Sequence, residues 1–211
     1  NTIKKQEGSY TDLYFNYSIN QDLRDKKFRT EDGFVTTFSQ ELPIISDNSE
    51  LSNSFDITTF KKLSSRSDII GKLSFFGKTI TGLSDDVRIS KRLYIPSYRL
   101  RGFEKGKVGP VDNNDYIGGN HLTTVNMSAT LPNILEGLDN LDVGIFLDAA
   151  NVWGIDYDSS LDDKSTIRSS AGIGLNLLTP IGPLSFSFAN AITKASSDKT
   201  ETFRFNLGTQ F

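Results

Sequence analysis

An all-β chain, folded as part of the wall of an antiparallel transmembrane β-barrel, is the architecture that three features of the 211-residue sequence predict. Apolar and polar residues alternate with period two, not with helical spacing, in about nine segments separated by turn clusters. The connections between these segments tend to alternate between short and long, as periplasmic turns and extracellular loops do. The last segment sets Phe203, Phe205, Leu207 and Phe211 on one face and Arg204, Asn206, Gly208 and Gln210 on the other, and it ends on an aromatic residue. Ends of soluble chains are normally polar and frayed, whereas lipid outside and a polar lumen inside require this pattern.

Taken in order, the first strand covers Tyr10 to Asn20, with Leu13, Phe15, Tyr17 and Ile19 opposed to Asp12, Tyr14, Asn16 and Ser18. The charged link LRDKKFRTEDG leads to a second strand from Phe34 to Leu42, which Pro43 is expected to end because it cannot donate to a ladder. SDNSE turns into a third strand, Leu51 to Lys62, and KKLSSRSD into a fourth, Asp68 to Ile80, with Ile69, Leu73 and Phe75 on its apolar face. A long segment without alternation follows. The fifth strand, His121 to Leu131, points Val125, Met127, Ala129 and Leu131 outward and Thr124, Asn126, Ser128 and Thr130 inward. The sixth, LDVGIFLDAANVW, alternates in the same way and places Asp148 on the polar face. GIDYDSSLDDKST, TPIGP and SSDKT then separate IRSSAGIGLNLL, PLSFSFANAI and TFRFNLGTQF. With the chain end taken as periplasmic, the long segment and GIDYDSSLDDKST fall on the outer side, and only LRDKKFRTEDG is long for a periplasmic turn.

Composition limits the alternatives. Hydrophobic residues make up 36% of the chain and mean hydropathy is -0.32. No apolar run approaches the roughly 20 residues of a membrane-spanning helix. A barrel strand shows lipid only every second residue, so this modest hydropathy fits a membrane wall. A net charge of -3 and a pI near 5.2 give none of the basic footprint of a nucleic-acid binder. Cysteine is absent, which excludes thiol catalysis, a disulfide framework and thiolate-bound zinc. The length suits one all-β domain over residues 1–211, and an Asn at position 1 without a signal peptide reads as a mature chain or a fragment.

The long segment, RLYIPSYRLRGFEKGKVGPVDNNDYIGGN over residues 92–120, mixes basic residues, aromatics and glycines around Arg101-Gly102-Phe103. Long structureless stretches in compact domains are usually functional or disordered, and this one is expected to fold back on the sheet. Asp148 is the natural candidate for its partner. A lone carboxylate between Phe146 and Ala150 is costly unless paired, and a guanidinium offers the matching planar fork. A solvated lumen carboxylate with no partner is the other reading. No catalytic constellation emerges. His121 is the single histidine and no nucleophile elbow accompanies it. Gly102 to Lys107 has the wrong spacing for a phosphate loop, with Val108 where Ser or Thr is required. Asp85-Asp86, Asp162-Asp163 and the run at Asp112 match no calcium-loop pattern and read as solvated charge, so no metal or cofactor is expected.

RGF, IGGN, DAANVW, IRSSAGIGLNLLTPIGPLSFSFANAI and the terminal FRFNLGTQF, in this order and spacing, resemble the C-terminal part of the barrel in the BamA family of outer-membrane β-barrel assembly factors. The match covers essentially the whole chain. FNYSINQDLRDKKFRTEDG is similar to the strand, turn and strand that precede this region in the family. The resemblance implies a sixteen-stranded barrel in the bacterial outer membrane, preceded by POTRA repeats that recruit lipoprotein partners, with nascent outer-membrane β-barrel proteins as clients and membrane lipid around the wall. It implies that the loop folds into the lumen with Arg101 on Asp148, flanked by Gly102 and Phe103. A second acid of the family falls at Ser128, so a two-carboxylate clamp is not expected. Gly208 matches the glycine where the last strand can bend away from the first, and Phe211 the terminal aromatic of the strand-recognition signal. About nine strands would leave an open half-barrel with two edges, for which self-association, refolding or dependence on context is expected. Within the same superfamily, a TamA-like or two-partner-secretion transporter, or the barrel of a patatin-like lipase fusion, would share the loop, and a diffusion porin stands behind these.

Overall fold

The computed structural model describes residues 6, 8–27, 29–64, 68–132, 140–161, 166–179 and 182–207. Four strands precede the long loop: β1 (Asp12–Asp22), β2 (Asp32–Ser46), β3 (Glu50–Lys62) and β4 (Ile70–Gly82). Two short ones lie inside it, β5 (Val111–Asp112) and β6 (Asp115–Tyr116). Five follow: β7 (His121–Pro132), β8 (Leu141–Trp153), β9 (Arg168–Thr179), β10 (Gly182–Thr193) and β11 (Phe203–Leu207). Nine of them form one antiparallel sheet in the order β1-β2-β3-β4-β7-β8-β9-β10-β11, so the wall strands follow chain order, with β1 and β11 at its edges. The fold is therefore all-β and antiparallel, as the alternation predicts.

The β5–β6 ribbon has no counterpart in the sequence reading, because two-residue strands carry no periodicity. Its chemistry is nonetheless local: Asn113 and Asn114 both have positive φ, 49° and 72°, the conformation that a tight hairpin turn demands and that asparagine tolerates. Pro43 does not end β2. The strand continues to Ser46, because pairing with β3 stops at Glu41 opposite Ser52 and the ladder to β1 shifts register between Leu13 and Tyr14. A proline beside such an irregularity removes no needed donor. Nor is the alternation of connections strict, since the turn at 47–49 lies at the same end of the sheet as the long loop and is short.

The two faces of the sheet are inverted relative to a soluble protein. Leu13, Phe15 and Ile19 on β1, Leu73 on β4, Met127 on β7, Ile145 on β8 and Phe203, Phe205 and Leu207 on β11 are all exposed. Ser74, Thr124, Asp148, Ser170 and Ser187 are buried on the other face. Such a continuous apolar band is what a hydrocarbon environment selects on a barrel exterior. The apolar core is built under the loop, where Val87, Leu93, Ile95, Leu100, Phe103 and Val108 pack onto Ile80, Leu122, Ala150 and Val152 of the wall. The connection between β4 and β7 spans residues 83–120 and lies across the inner face, touching strands from β1 to β11.

Candidate functional site

The inner face offers the loop a row of small and polar side chains, because the residues on that face of β7, β8 and β9 are opposite one another in register: Asn126 faces Asp148, and Asp148 faces Ser170. Asp148 is fully buried. It accepts Arg101 Nε at 2.7 Å and Nη2 at 2.8 Å on its two oxygens, the Arg101 amide at 3.1 Å, and Asn126 Nδ2 at 2.8 Å. Four donors saturate the carboxylate, which is what a buried charge requires. The guanidinium also lies over the Phe146 ring, 3.4 Å from its centre, a favourable placement of a cation on a π face. Asn126 Nδ2 additionally reaches the Arg99 carbonyl at 2.7 Å, and Ser170 Oγ donates to the Arg101 carbonyl at 2.5 Å. The arginine is thus held through its fork, its amide and its carbonyl.

Gly102 has φ +87°, and a Cβ there would sit 3.1 Å from Ala189 Cβ and 3.3 Å from Ser170 Cβ. Both the left-handed backbone and the close approach to β9 and β10 favour glycine. Phe103 is 2% exposed and anchors the apolar core. Ser128 lies on the same face, opposite Phe146 on β8 and Lys72 on β4, and lines a polar cavity of about 360 Å3 with Lys72, Ser74, Arg99, Arg101 and Asn126. Beside Arg101, Asp148 also binds the side-chain amide of Asn126, directly across the ladder. Gly208 and Phe211 lie outside the described residues. His121 pairs with Trp153 across β7 and β8, ring centres 5.6 Å apart.

Several ion pairs were not anticipated from sequence. Arg99 pairs with Asp56 on β3 and stacks on Phe76 at 4.4 Å. Arg88 joins Asp12 and Glu50, and Arg92 joins Asp156. Arg168 on β9 and Asp198, in the turn before β11, are both fully buried, with Nε to Oδ2 at 2.9 Å and Nη2 to Oδ1 at 3.2 Å. The Asp198 carboxylate also accepts the amides of Gly109 and Ala195. Partial burial pushes the Asp156 carboxyl up, but Asn120, the Val87 amide and the Arg92 charge outweigh this and hold it below the ordinary carboxylate range. Arginines on the polar face and in the loop were the available signal; their acids are spread over β1 (Asp12), β3 (Glu50 and Asp56) and two connections (Asp156 and Asp198).

Comparisons with known proteins bear on the family and the fold. A model of the Omp85 superfamily domain matches residues 1–211. The outer membrane protein assembly factor BamA of Neorickettsia risticii is 23% identical over 214 residues, covering 100% of this chain and 29% of that protein. BamA of Neisseria meningitidis is 32% identical over 141 residues, 53% of this chain and 17% of its own length. The crystal structure of BamA from Haemophilus ducreyi lacking POTRA domains 1–3 superposes with a TM-score of 0.83 at 25% identity, over 91% of this chain and 41% of that one. The chain spans less than a third of the length of these curated relatives.

Proposed function

The chain belongs to the Omp85 superfamily, and from that membership we propose that residues 1–211 form the C-terminal part of the barrel of a bacterial outer-membrane protein assembly factor. The barrel acts without bond chemistry. Its clients are nascent β-barrel proteins, its surroundings are outer-membrane lipid, and its accessory lipoproteins bind through POTRA domains preceding this region. The seam between the last strand and the first strand of the whole barrel opens and offers backbone N–H and C=O groups to an incoming strand, so that each client strand is paired before it meets lipid. Gly208, lacking a side chain to pack, lets the last strand bend at that seam, and Phe211 contributes the terminal aromatic that strand recognition reads.

The observation that carries the reading is the bidentate pairing of Arg101 with the buried Asp148, which holds the RGF loop against the inner face of the wall. A docked loop gives the barrel an interior without a fixed pore and keeps the C-terminal strands in one geometry while the seam exchanges partners. Asp148→Ala in the full-length protein removes the acceptor, leaves the guanidinium without a carboxylate, and frees the loop. The expected result is reduced folded outer-membrane protein, read from heat-modifiable bands on semi-native gels of outer membranes. Normal levels in that strain would overturn the reading.

A further inference from the structure

We propose that Arg204 on β11 is a latch between the edge strand and the loop, so that docking of the RGF segment and pairing of the last strand are one coupled equilibrium. Its consequence for assembly rests on the seam reading above; its existence rests on geometry. Arg204 Nη1 donates to the Ser97 carbonyl and Nη2 to the Phe103 carbonyl, both at 2.5 Å, and Nε donates to Glu201 Oε1 at 2.6 Å. The side chain is 10% exposed. Those two carbonyls flank Arg101, which is itself fixed to β8. One short segment of loop is therefore clamped from below by Asp148 and from the side by the edge strand.

The backbone completes the splice. Glu201 N donates to the Gly102 carbonyl at 3.1 Å, Glu104 N to the Lys199 carbonyl at 3.0 Å, and Lys199 N to the Lys107 carbonyl at 3.0 Å, around an antiparallel bridge between Phe103 and Thr200. Residues 102–107 are thus tied by backbone hydrogen bonds to the chain entering β11. Among the described residues β11 itself is held to β10 by five register pairs, against eleven between β9 and β10, and on the outside by Phe203 packed on Phe186 and Phe188. Peeling β11 away pulls the fork off two carbonyls and leaves them without their donors, which penalises opening while the loop is docked. Linkage makes the effect reciprocal: whatever frees the loop loosens β11 by the same factor.

The test is hydrogen exchange of the full-length protein in membranes, read at the amides of 102–107 and 203–207. Arg204→Ala accelerates exchange at both segments together, by about tenfold or more. Asp148→Ala, on β8 with β9 and β10 between it and β11, accelerates exchange at 203–207 as well. Arg204→Lys recovers part of the protection by keeping the charge beside Glu201, although one ammonium lacks the planar fork. If Arg204→Ala does not accumulate, Glu201→Gln gives a weaker change of the same paired kind. A change confined to one segment, or none in either, overturns the latch. Paired loosening with undiminished outer-membrane protein levels leaves the latch standing and overturns the seam reading instead.

Discussion

β1 and β8 carry the same alternation, yet their inner faces live in different surroundings. On β1 the inward residues Asn16, Ser18 and Asn20 are exposed, and Asn20 simply bonds its cross-strand neighbour Thr37. On β8 Phe146, Asp148 and Ala150 are buried, and on β9 Arg168 and Ser170 are buried as well. The loop makes the difference. It meets β1 and β3 through charged side chains, Arg88 with Asp12 and Glu50 and Arg99 with Asp56, while it packs its apolar residues against Ile80 of β4 and against β7 and β8. A polar wall residue is therefore cheap where the lumen is open and demands a partner where the loop covers it.

The largest effect expected from this contrast is at Arg168. Arg168→Ala leaves the Asp198 carboxylate fully buried without its guanidinium, a loss of about 3–5 kcal/mol. Unfolding of the full-length protein in urea, followed by the gel shift of the folded barrel, should show it. Asn20→Ala, which removes a polar side chain of the same face on β1, should stay within about 0.5 kcal/mol of the parent. Equal losses at the two sites would break the comparison.

How far the sequence carried depends on where each residue's environment is decided. Strand faces were readable because lipid and lumen impose opposite preferences on successive residues, and a one-residue slip would invert every one of them. Asp148 was readable as a carboxylate on the polar face that needed a cation. Asn126 was not, because its contact with Asp148 is set by the register of β7 with β8. Asp198 sits in a run, SSDKT, that has every local mark of a solvated turn. It is nonetheless buried, and it accepts the amide of Gly109, 89 residues away. Arg204 was placed on the polar face of the last strand, but its acceptors are two backbone carbonyls and Glu201, and carbonyls are present at every position. Pro43 misled for the complementary reason, since whether a missing N–H matters depends on a neighbour strand that stops two residues earlier.

An intermediate effect is expected where the loop begins. Asp156 ties that segment to the connection after β8 by accepting the Val87 amide at 2.7 Å, Asn120 Nδ2 at 2.9 Å and the Arg92 guanidinium. Its carboxyl is held below the ordinary range, so its contribution is fully present above the unfolded value of about 4 and is lost as pH falls through the lower folded value. Relative to the intrinsic rate of an unprotected amide at each pH, acidification should speed exchange at the Val87 amide in the full-length protein. Asp156→Asn should raise that exchange at neutral pH and flatten its dependence on acid. A variant that kept the parent's pH profile would show that the loop start is held by something else, and the covered region would extend less far along the loop.

The smallest effect sharpens the comparison from the open side. Lys61 and Asp32 pair at 3.0 Å near the end of the β2–β3 ladder, with both side chains more than half exposed. Water screens such a pair and the long lysine loses rotamer freedom by making it, so Lys61→Ala should shift stability by no more than about 0.5 kcal/mol. Raising the salt concentration should leave even that difference smaller, because screening already removes most of it. The same salt change should hardly alter the loss at Arg168, where no solvent reaches either charge. A Lys61 variant that destabilised the barrel strongly and without salt dependence would mean that the ends of the N-terminal strands are packed against something as dry as the loop, and the division between covered and open wall would have to be redrawn.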